Sequence, residues 1–203
     1  MASRNGFGVQ KVRDGLRWMI WGPRVLARGT WDLITLFRGG ELSEAMEPWL
    51  ECPLVDDVPF EKIAAEGMDA VFFDLENTLV PPGGPFTAEG RAVIARARQA
   101  GLRVGVVSNA SAAWVPTALG AEGIPCVAPA GKPAKGAFLE ACAMVGVAPD
   151  RSVYVGDQVI TDVLGSQRAG MRAVLVHPKY TKEFLSAKFQ RLVVRVIKRV
   201  TRN

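Results

Sequence analysis

Short apolar runs alternate with longer segments of helical periodicity between residues 70 and 176. The runs are rich in β-branched and aromatic residues and are too short for helices, so they predict strands. A glycine follows several of the segments between them, as is usual just past the end of a helix. The predicted strands are Ala70–Phe73, Leu102–Val107, Ile124–Ala128, Ser152–Val155 and Ala173–Val176, and the predicted helices are Thr87–Ala100, Ala112–Leu119, Pro133–Val145 and Val159–Ala169.

This order of elements defines a fold class. Strands that alternate with helices form βαβ units, in which the strands are parallel and the helices cover both faces of the sheet. The predicted strands are apolar throughout, as expected for a sheet that is covered on both faces. We therefore predict an α/β protein with a Rossmann-like three-layer α/β/α fold and a mainly parallel five-stranded sheet.

The two ends of the chain differ from its middle in charge, within a net charge of +5. Residues 1–38 carry seven basic and two acidic side chains, residues 182–202 carry seven and one, and residues 39–90 carry one and twelve. Apolar residues in the tail recur at helical spacing, which predicts a basic amphipathic helix. Basic segments of this kind suit an anionic membrane or nucleic acid, or they form a solvated face. The predicted parts are a basic, amphipathic helical arm (1–50), an α/β domain (51–180) and a basic amphipathic C-terminal helix (181–203).

Cysteine usage and hydropathy indicate an intracellular protein. The three cysteines, Cys52, Cys126 and Cys142, are far apart and form no CxxC pair, which is typical of reduced thiols without a zinc site. The best candidate for a membrane span, Gly15–Phe37, is interrupted by four charged side chains and a proline. A span needs roughly 20 mostly apolar residues. We therefore predict a cytoplasmic protein whose basic arms suit peripheral contact with the inner face of the membrane.

Polar side chains that could bind ligands or take part in catalysis follow the predicted strands. In an open α/β sheet, ligands bind beyond the carboxyl ends of the strands, so these side chains should meet there. Carboxylates suit Mg²⁺, which is commonly held by one or two of them together with substrate phosphate, and an amine or hydroxyl suits phosphate oxygens. The candidates are Asp74, Glu76, Thr78, Ser108, Asn109, Lys132, Asp157 and Asp162.

Four short motifs contain these candidates. The stretches "DLENTLV", "VVSN", "GKP" and "VGDQVITD" resemble, in order, the four motifs of the haloacid dehalogenase (HAD) superfamily of phosphatases. The longer segments "FDLENTLVPP" and "EFLSAKFQR" resemble those of the YqeG-type phosphatases of subfamily IIIA, which are relatives of the mitochondrial phosphatidylglycerophosphate phosphatase. The resemblance spans residues 70–176 and implies a Mg²⁺-dependent phosphoric monoester hydrolase.

The resemblance also implies a role for each motif residue. Asp74 would be the nucleophile that forms an aspartyl-phosphate, and Lys132 would bind both it and the phosphate. Asp74, the backbone carbonyl of Glu76 and Asp157 would bind Mg²⁺, with Asp162 beside them. The Glu76 side chain would occupy the general acid/base position. The residues that would brace or bind the substrate phosphate are Thr78, Ser108, Asn109 and Lys132.

Glu76 departs from the family pattern, which has aspartate at this position. The extra methylene changes the reach of the carboxylate by about 1.5 Å. Three outcomes remain open: an active enzyme with an adjusted loop, a slow enzyme that accumulates phospho-aspartate, and a phosphate- or RNA-binding module.

The spacing between the motifs bears on the substrate. The segments from Thr78 to Ser108 and from Ser108 to Lys132 hold only the expected helix, strand and loops, so no cap domain is predicted. In the HAD superfamily, lack of a cap is associated with open sites and large substrates. An open site would suit a phosphate on a lipid headgroup, a protein or a nucleic-acid end, and the basic arms favour the lipid. The expected substrate is therefore a phospholipid headgroup such as that of phosphatidylglycerophosphate, with a soluble or protein phosphate as the alternative. No nucleic-acid partner is expected.

Overall fold

The computed structural model describes residues 46–115, 119 and 122–180. Within these residues there are six strands, four α-helices, two short 3₁₀ turns and one π-helical turn. The strands are β1 Leu50–Cys52, β2 Ala70–Phe73, β3 Arg103–Val107, β4 Cys126–Val127, β5 Ser152–Gly156 and β6 Arg172–Val176. The helices are α1 Phe60–Ala65, α2 Ala88–Gln99, α3 Gly136–Val145 and α4 Gly165–Arg168, the π turn is Val159–Leu164, and the 3₁₀ turns are Val55–Asp57 and Pro149–Arg151.

The strands form one parallel sheet in the order β1-β6-β5-β2-β3-β4. The central strand β2 pairs with β3 on one side and with β5 on the other, so Phe72 lies between Gly105 and Tyr154. Chain order reverses at β2, which places the carboxyl ends of β2, β3 and β5 side by side. This confirms the predicted α/β fold and creates the crevice at which such sheets bind ligands.

The sheet has six strands, and not the five predicted. The additional strand, β1, pairs with β6 at the edge of the sheet through Leu50 and Val174. It has only three residues, with the exposed Glu51 at its centre, and so lacks a run that predicts a strand. Because its position depends on pairing with a segment more than a hundred residues later, local sequence could not reveal it.

Helices cover both faces of the sheet. On one face, α1 and α2 pack their buried side chains, including Phe60 and Ile94, against Val71 and Phe73. On the other face, α3 packs against Phe72 and Tyr154. Both faces of β2 are therefore buried, which explains why this strand is apolar at every position.

Two predicted helices differ from the observed ones in how they begin. Residues 131–134 form a turn in which the Ala134 amide donates to the Gly131 carbonyl (3.1 Å), so α3 begins at Gly136 and not at Pro133. The segment predicted to be helical from Val159 begins with the π turn, in which the Val163 amide donates to the Gln158 carbonyl (3.3 Å). The predicted helix Ala112–Leu119 lies partly outside the described residues.

The predicted basic arms lie outside the described residues, apart from the end of the first one, so the division of the chain at residues 50 and 180 stays a prediction. Between Thr78 and Ser108 the structure contains a loop, α2 and β3, which leaves no separate domain there. No helix among the described residues is long and apolar enough to cross a membrane.

Candidate active site

A buried lysine lies at the centre of the crevice. The Lys132 ammonium donates hydrogen bonds to Asp74 Oδ1 (2.7 Å), Asp162 Oδ1 (2.6 Å) and the Tyr154 hydroxyl (2.8 Å). An ammonium has three N–H groups, so each of them has an acceptor. Burial disfavours the charged form of Lys132 and so lowers its pKa. The negative charges of Asp162 and Asp74 and their hydrogen bonds outweigh this effect and hold the pKa above its ordinary value. Lys132 is therefore a fixed cation.

Asp74 is the first residue after β2. Its amide donates to the Val155 carbonyl (2.9 Å), which continues the pairing of β2 with β5 and fixes the point at which the side chain leaves the sheet. Burial raises the pKa of the Asp74 carboxyl to about 6, although the Lys132 ammonium opposes this. A carboxylate that is desolvated but held beside a cation suits nucleophilic attack at an anionic phosphate.

Asp157 and Asp162 bring two further carboxylates to the same place. An oxygen atom from each of Asp74, Asp157 and Asp162 lies within 4.8 Å of the other two. Both oxygens of Asp157 are buried without a hydrogen-bond partner. Burial raises the pKa of Asp157 to about 8, and the charges of Asp162 and Asp74 add to the effect.

The donor set fits a divalent cation. Buried carboxylates are normally paired or bound to a metal ion, and Asp157 has no hydrogen-bond donor among the described residues. A cluster of three carboxylates offers hard oxygen ligands, which suit Mg²⁺. The acidic residues of the first and fourth motifs therefore offer the oxygen ligands that Mg²⁺ requires. The observation that supports a cation here is the unpaired carboxylate of Asp157.

Asp162 is held in place by the π turn. Its Oδ2 accepts from the Gln158 amide (3.0 Å), while its Oδ1 accepts from Lys132. Gly156 makes this position possible, since a Cβ there would lie 2.4 Å from Asp162 Oδ2. Both oxygens of Asp162 thus have donors within the protein, whereas those of Asp157 have none.

The Glu76 side chain reaches a neighbouring loop. Its Oε1 accepts a hydrogen bond from the Gly83 amide (2.9 Å). The next residue, Asn77, has a left-handed backbone (φ 61°), and its amide donates to the Val80 carbonyl (2.9 Å). Thr78, which follows in this turn, is fully buried, and its hydroxyl has no hydrogen-bond partner.

The second and third motifs are joined directly. The Asn109 side chain donates to the Lys132 carbonyl (3.2 Å) and accepts from the Lys132 amide (2.8 Å), so it holds the backbone of the lysine. Ser108 is buried at the end of β3, and its hydroxyl accepts from the Ala110 amide (3.2 Å). All eight candidate residues lie in the segments that follow β2, β3, β4 and β5.

Sequence reasoning missed Tyr154. It lies within β5 and donates its hydroxyl proton to the Val107 carbonyl (2.7 Å) while it accepts from Lys132. The available signal was a single hydroxyl-bearing ring in a strand that is otherwise apolar after Ser152. A buried tyrosine usually finds a hydrogen-bond partner, so it could have been flagged as part of a polar site.

Comparison with known proteins identifies the family. The HAD-hydrolase-like family model matches residues 129–195. The chain belongs to the HAD superfamily of phosphatases and is related to its YqeG-type members, which confirms the family and the enzyme class predicted from the four motifs.

Two relatives and one solved structure are among the proteins similar to this chain. The probable phosphatase YqeG of Bacillus subtilis is 32% identical over 68% of this chain and 80% of its own length. The chloroplastic phosphatidylglycerophosphate phosphatase 1 of Chlamydomonas reinhardtii is 30% identical over 70% of this chain, and the match spans 56% of that protein. The crystal structure of a 2-haloacid dehalogenase from Pseudomonas syringae covers 58% of this chain and 90% of its own, with 20% identity and a TM-score of 0.39.

Proposed function

We propose that this protein is a Mg²⁺-dependent phosphomonoester hydrolase that works through an aspartyl-phosphate on Asp74. The observation that carries the proposal is the buried Lys132 ammonium, which bridges Asp74 and Asp162 while the unpaired Asp157 carboxylate lies beside them. Asp74, Asp157 and the Glu76 backbone carbonyl would hold the cation, with Asp162 beside them. When bound, Mg²⁺ offsets the negative charge of the phosphate and of the transferring phosphoryl group.

The residues divide the reaction into two displacements. A carboxylate oxygen of Asp74 attacks phosphorus, the bond from phosphorus to the leaving oxygen breaks, and Glu76 gives that oxygen a proton. Water then attacks phosphorus, Glu76 takes its proton, and the bond between phosphorus and the Asp74 oxygen breaks. Inorganic phosphate and the free carboxylate are the products. Ser108 and Asn109 would orient the phosphate in both steps. The Lys132 ammonium, whose three N–H groups are bonded within the protein, would attract the phosphate through its charge.

Phosphate release from para-nitrophenyl phosphate tests this proposal. We expect release by the wild-type protein to require Mg²⁺ and to fall by at least about a thousandfold in Asp74→Asn, because the nucleophile is lost. The matched control is Asp150→Asn, the same change at an exposed position, which should keep wild-type activity. Equal activity in Asp74→Asn and the wild type would refute the mechanism.

We further propose that the substrate phosphate is presented by a phospholipid headgroup, as in phosphatidylglycerophosphate. The support is the chloroplastic relative, which is named for that substrate, together with the basic ends of the chain. Each lysine or arginine close to an anionic membrane contributes about 1 kcal/mol of attraction. On this proposal the protein works at the cytoplasmic face of the membrane as a peripheral enzyme.

Two measurements separate this substrate from the alternatives. Hydrolysis of phosphatidylglycerophosphate in mixed micelles should be much faster than that of para-nitrophenyl phosphate, and flotation with anionic liposomes should weaken in salt. Removal of residues 182–203 should reduce flotation more than hydrolysis of the soluble ester. Activity on the soluble ester alone would favour a soluble or protein phosphate. Phosphate binding without turnover would favour a binding module.

A further inference from the structure

The hydrogen bonds of Tyr154 give it a directional role beside Lys132. Its hydroxyl proton is donated to the Val107 carbonyl at 2.7 Å, so the oxygen is left to face the Lys132 ammonium as an acceptor at 2.8 Å. Tyr154 is 1% exposed, and burial raises its pKa well above the ordinary value. The hydroxyl therefore stays neutral and can serve the ammonium only in this orientation.

The neutral Tyr154 hydroxyl adds a third contact to the two that the Lys132 ammonium makes with carboxylates. Asp74 and Asp162 attract the ammonium, but two carboxylates alone would let it tilt towards either of them. The third acceptor defines how the ammonium is rotated, because each N–H then has one assigned partner. Without the phenol oxygen, one N–H of a buried cation would lose its acceptor, which is costly.

Tyr154 also joins two motifs through the sheet. From β5 it reaches across the central strand β2 to Val107, the last residue of β3. The following residue, Ser108, is a predicted phosphate ligand. One hydroxyl thus links the position of the ammonium to the strand end that presents the phosphate-binding hydroxyl.

We propose that Tyr154 is a positioning residue for phosphoryl transfer, whose hydroxyl aligns the Lys132 ammonium with Asp74 and with the end of β3. The inference rests on the proposed function. The packing role of the side chain is separate from this one, since the ring meets Phe138 edge-on at a centroid distance of 5.0 Å. Tyr154→Phe therefore removes the alignment and keeps the packing.

Kinetics of Tyr154→Phe with para-nitrophenyl phosphate and Mg²⁺ are the first test. We expect kcat to fall by about tenfold, the size of one hydrogen bond to a charged group, with KM changed by less than about threefold. The control is Tyr180→Phe, which removes the only other tyrosine hydroxyl, one that lies 3.4 Å from Thr87 Oγ1. Its kcat should stay within about twofold of wild type, and circular dichroism should show that both variants are folded at the assay temperature.

The NMR signal of the Lys132 ammonium is a second readout that does not depend on activity. In ¹⁵N-labelled protein this signal is assigned by its absence in Lys132→Arg. We expect its proton exchange to be faster by about tenfold in Tyr154→Phe and unchanged in Tyr180→Phe. If Tyr154→Phe is not folded, 3-fluorotyrosine incorporated in the Tyr180→Phe background places the label at residue 154 alone, weakens the acceptor oxygen, and should change both readouts in the same direction.

The outcomes distinguish this inference from the proposed function. A kcat within twofold of wild type for folded Tyr154→Phe, or a lower kcat with an unchanged Lys132 signal, would overturn the positioning role alone. No phosphate release by the wild-type protein would overturn the proposed function. The ammonium signal would then still decide whether Tyr154 fixes Lys132.

Discussion

The length of Glu76 has a structural use. Its Oε1 accepts from the Gly83 amide at 2.9 Å, in an exposed loop whose Gly83 has a left-handed backbone (φ 66°). Aspartate, the usual residue of the family here, is shorter by about 1.5 Å and would not reach the same amide without movement of the loop. The longer acid therefore holds the loop that follows Asp74, the proposed nucleophile.

Two substitutions at Glu76 separate this contact from proton transfer. Glu76→Gln keeps an oxygen acceptor for Gly83 but cannot act as an acid, so we expect kcat to fall by about 10²–10⁴ while the Gly83 amide stays protected. Glu76→Asp keeps the acid but loses reach, so the Gly83 amide should exchange faster while more activity remains than in Glu76→Gln. Hydrogen exchange by NMR measures the protection, and equal protection in the two variants would contradict the fastening role.

At the scale of elements, a glycine in β3 lets the central strand pack. A Cβ on Gly105 would lie 2.7 Å from two ring atoms of Phe72, in the middle of the sheet. The ring is fully buried, so it has little room to move. The sheet that presents the site thus depends on the absence of a side chain at this point.

Gly105→Ala should lower the free energy of unfolding by about 1–3 kcal/mol, because the buried ring must shift. Gly136→Ala is the matched control, since its Cβ would meet nothing within 4 Å at the exposed start of α3. We expect the control to be neutral or stabilising by up to about 1 kcal/mol. Urea unfolding compares the two, and a Gly105→Ala variant as stable as the control would show that the ring adapts freely.

The elements also show what the sequence could predict. The apolar run Ala70–Phe73 predicted β2 without error because both faces of that strand are buried. In contrast, β1 is defined only by its pairing with β6, so its own three residues carried too little information. The start of α3 was misplaced because a local turn hydrogen bond replaces the first helical turn after Gly131.

In the candidate site, too, some features could be predicted from the sequence and others could not. The eight candidate residues were identified because they follow predicted strands and lie in four motifs that resemble those of a known family. Tyr154 was missed since its partners, Lys132 and Val107, come from other segments and meet it only after folding. The bond of Glu76 to Gly83 was missed for a similar reason, because backbone amides leave no mark in a sequence.

At the scale of the whole molecule, the proposed metal site should oppose stability when no cation is bound. The pKa of Asp157 in the folded protein is about 8, against an ordinary value near 4. Between these values the folded protein keeps a proton that the unfolded chain releases, so stability falls as pH rises through that window. A bound cation should remove this cost, because it pairs the charged form of the carboxylate.

Asp157→Asn should therefore stabilise the metal-free protein and weaken Mg²⁺ binding at the proposed site. In urea at pH 8 with EDTA, we expect its free energy of unfolding to exceed that of wild type by about 1 kcal/mol or more. Added Mg²⁺ should stabilise wild type, by about 2.7 kcal/mol at a hundred times its Kd, and the variant much less. Asp150→Asn, at an exposed position, is the control and should behave as wild type. A less stable Asp157→Asn protein in EDTA would contradict this view of the site.

In the proposed mechanism, the phosphoryl group is bonded covalently to Asp74 before water releases it. The most direct measurement is to quench the wild-type protein during turnover of para-nitrophenyl phosphate with Mg²⁺, reduce it with borohydride and map the product by mass spectrometry. An acyl phosphate is reduced to an alcohol, so we predict homoserine at position 74, and none there without substrate or in Asp74→Asn. Steady phosphate release with a trapped acyl phosphate at another residue would contradict the claim.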